Sequence, residues 1–402
     1  MGVYMAATLY VVPHLHHWDG WAYPLDLWNY FFLARYIDIG IYQDLYGQSL
    51  GQTGLTTTPG AVVALAPVWT MIHAAGIHVD LSRIPQPHPT AWLILGPYQV
   101  LLSSSVFFAA DAVAVRLGAS LIRRLLICVG EVYALYNVVH WGHPEDAVAV
   151  AFLLYSCLAA SDKRWSMSAW LLGAAVAFQP FVLLALAVVF FPAGLRRFPG
   201  LLARAAAPAA ALLVVPRAMN WSVTAQSLVI QPASPSGGRL TPWIHFAPSL
   251  AHLGPMDTNF VAGGPVRLLG VILSIIIGLW FRRAQRNLGL LIAAVALTLT
   301  FRCVFESVIA AYYVFPTIAF ALVSLSVASW PRSLVAAFLA AALTWTSDFD
   351  PHVTWVWWVI VAGLAALVAV SWPLASTRGR EPRDLVALQP LTQTVTALGE
   401  PG

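Results

Sequence analysis

Residues 18–59 read WDGWAYPLDLWNYFFLARYIDIGIYQDLYGQSLGQTGLTTTP, in which Asp19, Asp26, Asp38 and Asp44 are interleaved with Trp, Tyr and Phe side chains. Acids mixed with aromatic rings are what a segment at a water–lipid boundary carries. Four of the chain's 17 acidic residues fall in this one stretch. Apolar sequence flanks it, so it reads as the first loop of a chain otherwise buried in a membrane.

Composition agrees with that reading. Of 402 residues, 59% are apolar and only 9% are charged, and the mean hydropathy is +0.75. A soluble domain of this size does not have such a balance. The apolar residues fall in runs near the ~20 residues that cross ~30 Å of hydrocarbon. The expected fold is therefore all-α, a polytopic helical membrane protein of about ten spans plus re-entrant or broken helices. The 20 arginines and one lysine are scattered at predicted helix ends, so a pI near 9.0 reports topology rather than nucleic-acid binding. Cys128, Cys157 and Cys303 lie in or beside predicted spans without metal-like spacing, and no disulfide framework or zinc site is indicated.

In chain order, residues 1–13 are apolar but too short to span and lack the features of a signal peptide. They are expected to belong to a truncated or misassigned start. His14, His16 and His17 read as incidental at a membrane edge. Residues 59–75, with Pro67 in the middle, read as a re-entrant half-helix. Spans are expected over 91–115, 121–139, 147–160, 199–215, 266–281, 288–299, 308–327, 333–346 and 353–371. Residues 168–192 are interrupted by Gln179-Pro180, and proline removes a helical donor, so this stretch reads as two half-helices. The domain is expected to fill residues 1–376, with outside loops 14–58 and 217–265 forming the active face. A polar tail, 377–402, reads as disordered and cytoplasmic. With both re-entrant segments returning to their starting side, Arg116, Lys163, Arg196, Arg197, Arg282 and Arg332 share one face, and Asp26, Glu145, Asp146 and Glu306 the other. The basic face is expected to be cytoplasmic.

Several residues suit chemistry. Asp26 stands at the edge of the membrane, where a carboxylate can take a proton from a sugar hydroxyl; it equally suits the cap of the helix-like run LWNYFFLARYI. His143, Glu145 and Asp146 lie in a tight turn, HWGHPED, whose His and acids suit a cation or a diphosphate held through one, the lining of an outward cavity, or a helix start. Gln179 sits at the apex of the broken segment. Arg302 and Glu306 stand four apart, reading as a self-neutralising pair or as a phosphate holder and its orienting acid. Tyr312 and Tyr313 would add hydroxyls. Asp111 and Glu131 are acids inside predicted spans, either cavity-facing or paired with each other, and they keep a proton-coupled transporter or flippase reading open.

Taken in order, Leu25-Asp26-Leu27, Asp44-Leu45-Tyr46-Gly47, Thr57-Thr58-Pro59, Gly142-His143-Pro144-Glu145-Asp146, Phe178-Gln179-Pro180 and Tyr312-Tyr313-Val314-Phe315-Pro316 resemble a recognisable pattern. It is that of the GT-C superfamily of membrane glycosyltransferases, in particular the bacterial polyprenol-phosphate-mannose-dependent members. The chain departs from it in having Gln179 where the family has lysine, Thr58 where it has Tyr or Pro, and no first full span. The resemblance implies an inverting, metal-independent transfer with Asp26 as general base. Donor and acceptor contacts would come from His143, Glu145, Asp146, Gln179, Arg302, Glu306, Tyr312 and Tyr313. It implies a polyprenyl-phosphate sugar donor, a cell-envelope glycan or glycolipid acceptor, surrounding membrane lipid, no cofactor, and an outward-facing site in the plasma membrane. A catalytically inactive envelope assembly subunit is the remaining alternative.

Overall fold

The computed structural model describes residues 25–46, 55, 57–79, 91–219, 222, 224, 228, 238–250, 260–283, 287–349 and 353–373. The expectations for residues 1–24, including the histidine run, and for the tail from 377 lie outside the described residues.

The described chain is built of helices joined by short turns, as the apolar runs require. In order they are α1 (Leu25–Asp38), α2 (Gly60–Ala74), α3 (Trp92–Ser103), α4 (Ser105–Arg116), α5 (Leu121–Trp141), α6 (Pro144–Ser161) and α7 (Trp165–Phe178). There follow α8 (Leu186–Phe190), α9 (Phe198–Met219), α10 (Arg267–Arg283), α11 (Leu288–Phe305), α12 (Phe315–Ser324), α13 (Trp330–Ser347) and α14 (Val356–Ser371). Among the described residues, strand is confined to two antiparallel pairs of two-residue segments: β1 (Arg239–Leu240) with β4 (Val308–Ile309), and β2 (Ser249–Leu250) with β3 (Phe260–Val261).

Among the described residues, four segments are long and apolar enough to cross a membrane: Ile94–Arg116, Pro144–Ser161, Phe198–Met219 and Leu288–Phe305. The outward faces of the bundle are apolar as well. On α10, Leu268, Ile272, Ile276 and Trp280 are all exposed, a surface that water would penalise and lipid would not. These are the features of a helical membrane protein. Buried inside it, α6 and α11 form the centre, while α9 runs along the periphery.

The helices share two ends. At one lie the α5–α6 turn, the C-terminus of α11 and the start of α10, held by the Arg267–Glu306 ion pair. At the other lie Arg116 paired with Asp162, Lys163, and Arg332 bonded to the Val370 carbonyl at the end of α14. Glu145, Asp146 and Glu306 thus lie at the end opposite Arg116, Lys163 and Arg332, although each end also carries the opposite sign, Arg267 at the first and Asp162 at the second. The broken segment explains how. α7 climbs from Trp165 to Phe178, the chain turns extended at Gln179, and Pro180–Ala185, α8 and Phe191–Ala193 lead back to the end where α7 began. Proline at 180 offers no donor to continue α7, and Gln179 adopts φ −149°, ψ 122°.

The first-loop helices have a core of their own. Leu27, Phe31, Tyr36, Leu65, Trp69 and Leu95 belong to a buried cluster separate from that of the main bundle. Residues 59–75, expected to form a half-helix, form the single helix α2 containing Pro67. Its far end meets the far end of α1 through His73 Nδ1 and Asp38 Oδ2 at 3.4 Å.

Two sequence expectations about charge pairs fail. Asp111 does not meet Glu131 but takes two bonds from Arg124, at 2.6 and 2.7 Å. The turn between α4 and α5 folds these neighbouring helices together, which spacing along one helix cannot anticipate. Glu131 is fully buried instead, with neither oxygen hydrogen-bonded among the described residues. The second failure, of the Arg302–Glu306 pair, belongs to the site.

Candidate functional site

The site is built on the α5–α6 turn. Gly142, at φ +79°, lets the chain reverse after α5. The His143 amide then bonds back to the Val138 carbonyl at 2.8 Å. Pro144 opens α6 at a position where its missing donor costs nothing. This places His143 ahead of α6 and Glu145 and Asp146 in its first turn, where the helix dipole favours negative charge.

Asp26, in the first turn of α1 rather than before it, arrives from the first loop. Its Oδ2 lies 2.8 Å from His143 Nε2, and Glu145 Oε1 lies 2.7 Å from Nδ1. With a carboxyl group facing each ring nitrogen, a doubly protonated imidazole offers one N–H donor to each. Burial works against that charge, but the nearby Glu145 and Asp26 carboxylates and their hydrogen bonds outweigh it and push the His143 pKa up to about 10. The ring is also stacked on Tyr312, with centroids 3.7 Å apart, and Tyr30 meets it edge-on at 5.8 Å. Burial, then the charges of Glu145, Asp26 and Asp146, keep the Tyr30 hydroxyl protonated well above its ordinary range.

Behind this triad, Gln179 Nε2 donates to Glu145 Oε1 at 3.1 Å, and Thr57 Oγ1 meets Gln179 Oε1 at 3.5 Å. The apex of the broken helix and the end of the first loop thus fix the orientation of Glu145. Thr58 adds a bond to the Val176 carbonyl at 3.0 Å. Gly60 lies so close to Ala177 and Phe178 that a Cβ there would stand 2.9 Å from the Phe178 Cα.

Beside it, Arg302 donates to Asp146 Oδ2 at 3.2 Å and not to Glu306. The reason is local: α11 ends at Phe305 and Glu306 is extended (ψ 147°), so the four-residue spacing no longer lies on one helical face. Glu306 instead takes Arg267 Nε at 2.5 Å. The Arg302 guanidinium lies 3.7 Å from the Tyr313 ring centroid and 4.5 Å from that of Phe181, the stacked geometry a planar cation favours. The later loop closes over this corner through Thr241 Oγ1, which donates to the Glu306 carbonyl at 2.6 Å.

Asp26, His143, Glu145, Asp146, Gln179, Arg302, Tyr312 and Tyr313 are thereby brought into one contiguous constellation, with Glu306 one pair away. Sequence reasoning did not single out Tyr30, Thr57, Phe181 or Arg267 as parts of it. Tyr30 stands four residues after Asp26 and so on the same helical face, a signal that was available; Arg267 carried none.

Three of these residues, His143, Glu145 and Asp146, place ligand atoms within 4.8 Å of one another, close enough for a cation. Glu145 Oε2 and Asp146 Oδ1 are buried without hydrogen-bond partners among the described residues. Both nitrogens of His143, however, are already committed to carboxylates, so a metal bound by His143 would have to replace its contact with Glu145 or with Asp26. No protein-family model matches the chain, and no curated protein matches it.

Proposed function

We propose that the protein is a membrane glycosyltransferase with a GT-C-like bundle, transferring a sugar from a polyprenyl-phosphate donor to an extracytoplasmic glycan or glycolipid. The observation that carries this reading is the difference in access among three carboxylates at one site. The Asp26 side chain is 35% exposed, whereas Glu145 is 1% and Asp146 0% exposed. Only Asp26 can meet an acceptor hydroxyl.

In this reading His143 fixes Asp26 Oδ2, so the remaining oxygen takes the acceptor's hydroxyl proton as that oxygen attacks the anomeric carbon. The new C–O bond forms as the bond to the donor phosphate breaks, and configuration inverts. Arg302 has one of its five N–H donors on Asp146 and offers others to the phosphate that leaves. Glu145, Gln179 and Thr57 position His143. No divalent cation is required. The concentration of Lys and Arg at the far end supports a site that faces outward in the plasma membrane.

The test is transfer of mannose from radiolabelled polyprenyl-phosphate mannose by membranes containing this chain. Transfer above membranes lacking it supports the reading; none, with envelope acceptors supplied, contradicts it.

One observation favours a second reading. Glu131, fully buried in α5 with both oxygens unbonded among the described residues, is what a proton-coupled transporter would carry. That reading requires Glu131 for function and not Asp26.

A further inference from the structure

At the end of the bundle opposite Asp26, three separate segments bring cations to one open groove. Lys163 comes from the α6–α7 turn, Arg196 and Arg197 from the chain after the broken hairpin, and Arg282 from the end of α10. All four are exposed, and none forms an ion pair with an acidic residue among the described residues. This differs from Arg116 nearby, which is neutralised by Asp162 at 2.9 Å. Bringing four like charges together costs energy, and nothing described in the chain offsets it.

The groove does not end at the charges. Lys163, Trp165 and Pro192 also border a second, apolar pocket running between the helices, walled by Val189, Phe281 and Leu291. Trp165 stands at the join, half-buried, the position an indole takes at the headgroup level of a bilayer. The two cavities together match an amphiphile with an anionic head and an apolar segment beside it, since the apolar pocket, about 80 Å³, takes a few methylene groups. Water-soluble phosphate would use the groove and leave the pocket empty.

We propose that this is a binding site for an anionic phospholipid of the leaflet opposite the Asp26 site. The headgroup phosphate lies among Lys163, Arg196, Arg197 and Arg282, and a few methylenes of one acyl chain enter the small apolar pocket, about 80 Å³, beside Leu291. Charge complementarity selects the headgroup, and the adjoining pocket selects a lipid over a free anion. The site also bridges three elements: α6, the returning leg of the broken hairpin, and α10. An occupant would fasten the hairpin whose apex carries Gln179. The inference rests on the membrane character of the bundle and is independent of the transferase reading.

The test is native mass spectrometry of the full chain in detergent, exposed to phosphatidylglycerol, phosphatidylcholine or inorganic phosphate. The wild type is expected to retain phosphatidylglycerol at least fivefold over phosphatidylcholine and to retain no inorganic phosphate. The combined variant K163Q/R196Q/R197Q/R282Q is expected to lose that preference. Arg204→Gln, an exposed arginine at the same end but outside the groove, is expected to keep it. Leu291→Trp, which fills the apolar pocket, is expected to lower retention of the diacyl lipid at least threefold. Because the combined variant can fail to fold, Arg282→Gln alone is measured beside it and is expected to weaken retention about twofold. Equal retention of both lipids, capture of inorganic phosphate as effective as that of lipid, or unchanged retention by the groove variants would each overturn the proposal.

Discussion

The Asp26 carboxylate and the His143 imidazole, 117 residues apart in the chain, meet at 2.8 Å. This contact joins the first loop to the centre of the bundle. It also makes the most accessible acid of the site one arm of a buried charged triad, the other being Glu145 at 2.7 Å. The ionic character of that triad sets how the fold responds to pH.

A raised histidine pKa ties stability to pH in a definite direction. His143 titrates near 10 in the fold, against about 6.5 in an unfolded chain. Below about 6.5 both states hold the proton and the triad's stabilisation is complete; it declines as pH rises from there and is gone above about 10. Thermal unfolding in detergent is therefore expected to fall steadily between pH 6.5 and 10 for the wild type and more shallowly for His143→Gln. Parallel curves for the two proteins would contradict the ionic triad.

Arg302 is expected to couple with Asp146 rather than with Glu306. Removing the guanidinium leaves Asp146 buried and uncompensated, at a cost of about 3–5 kcal/mol. Double-mutant cycles with Arg302→Met, Asp146→Asn and Glu306→Gln should give an Arg302–Asp146 interaction at least twice the Arg302–Glu306 one. Arg302→Lys keeps the charge but loses the stack on Tyr313 and Phe181, so it should restore only part of the stability.

Much of this was legible in the chain. The Gly142-His143-Pro144 turn and the Gln179-Pro180 break announce themselves through backbone chemistry, because glycine permits the left-handed turn and proline ends a helix. The stretches 121–139 and 147–160 are helical, as α5 (Leu121–Trp141) and α6 (Pro144–Ser161), but of the two only α6 is among the four described segments long and apolar enough to span, against about ten spans expected. The partners were not legible. Spacing reports neighbours along one helix, and Arg302 lost its expected partner where α11 ended at Phe305. Asp111 found Arg124 across a turn, leaving Glu131 without a hydrogen bond among the described residues. Pairings such as Asp26 with His143 depend on how helices pack, and no local pattern encodes that.

Close approach of α2 to the broken helix makes Gly60 sensitive. A methyl there would press on the Ala177 carbonyl and lie 2.9 Å from the Phe178 Cα, both backbone atoms that cannot step aside. Gly60→Ala is expected to lower stability by about 1–3 kcal/mol and to loosen the Thr57–Gln179 contact. Gly200→Ala, whose added carbon meets nothing nearer than 3.5 Å, is expected to be neutral or slightly stabilising. Thermal melts of the two variants side by side check both expectations.

The proposed chemistry turns on Asp26, and one near-isosteric substitution probes it. Sugar transfer from polyprenyl-phosphate mannose is measured in membranes containing equal amounts of wild type and Asp26→Asn, a change that keeps the side chain's shape and a hydrogen bond to His143. A general base at this position predicts transfer by the wild type and a loss of about a hundredfold or more in the variant, the range expected on removing such a group. Transfer by Asp26→Asn at the wild-type rate would contradict that role.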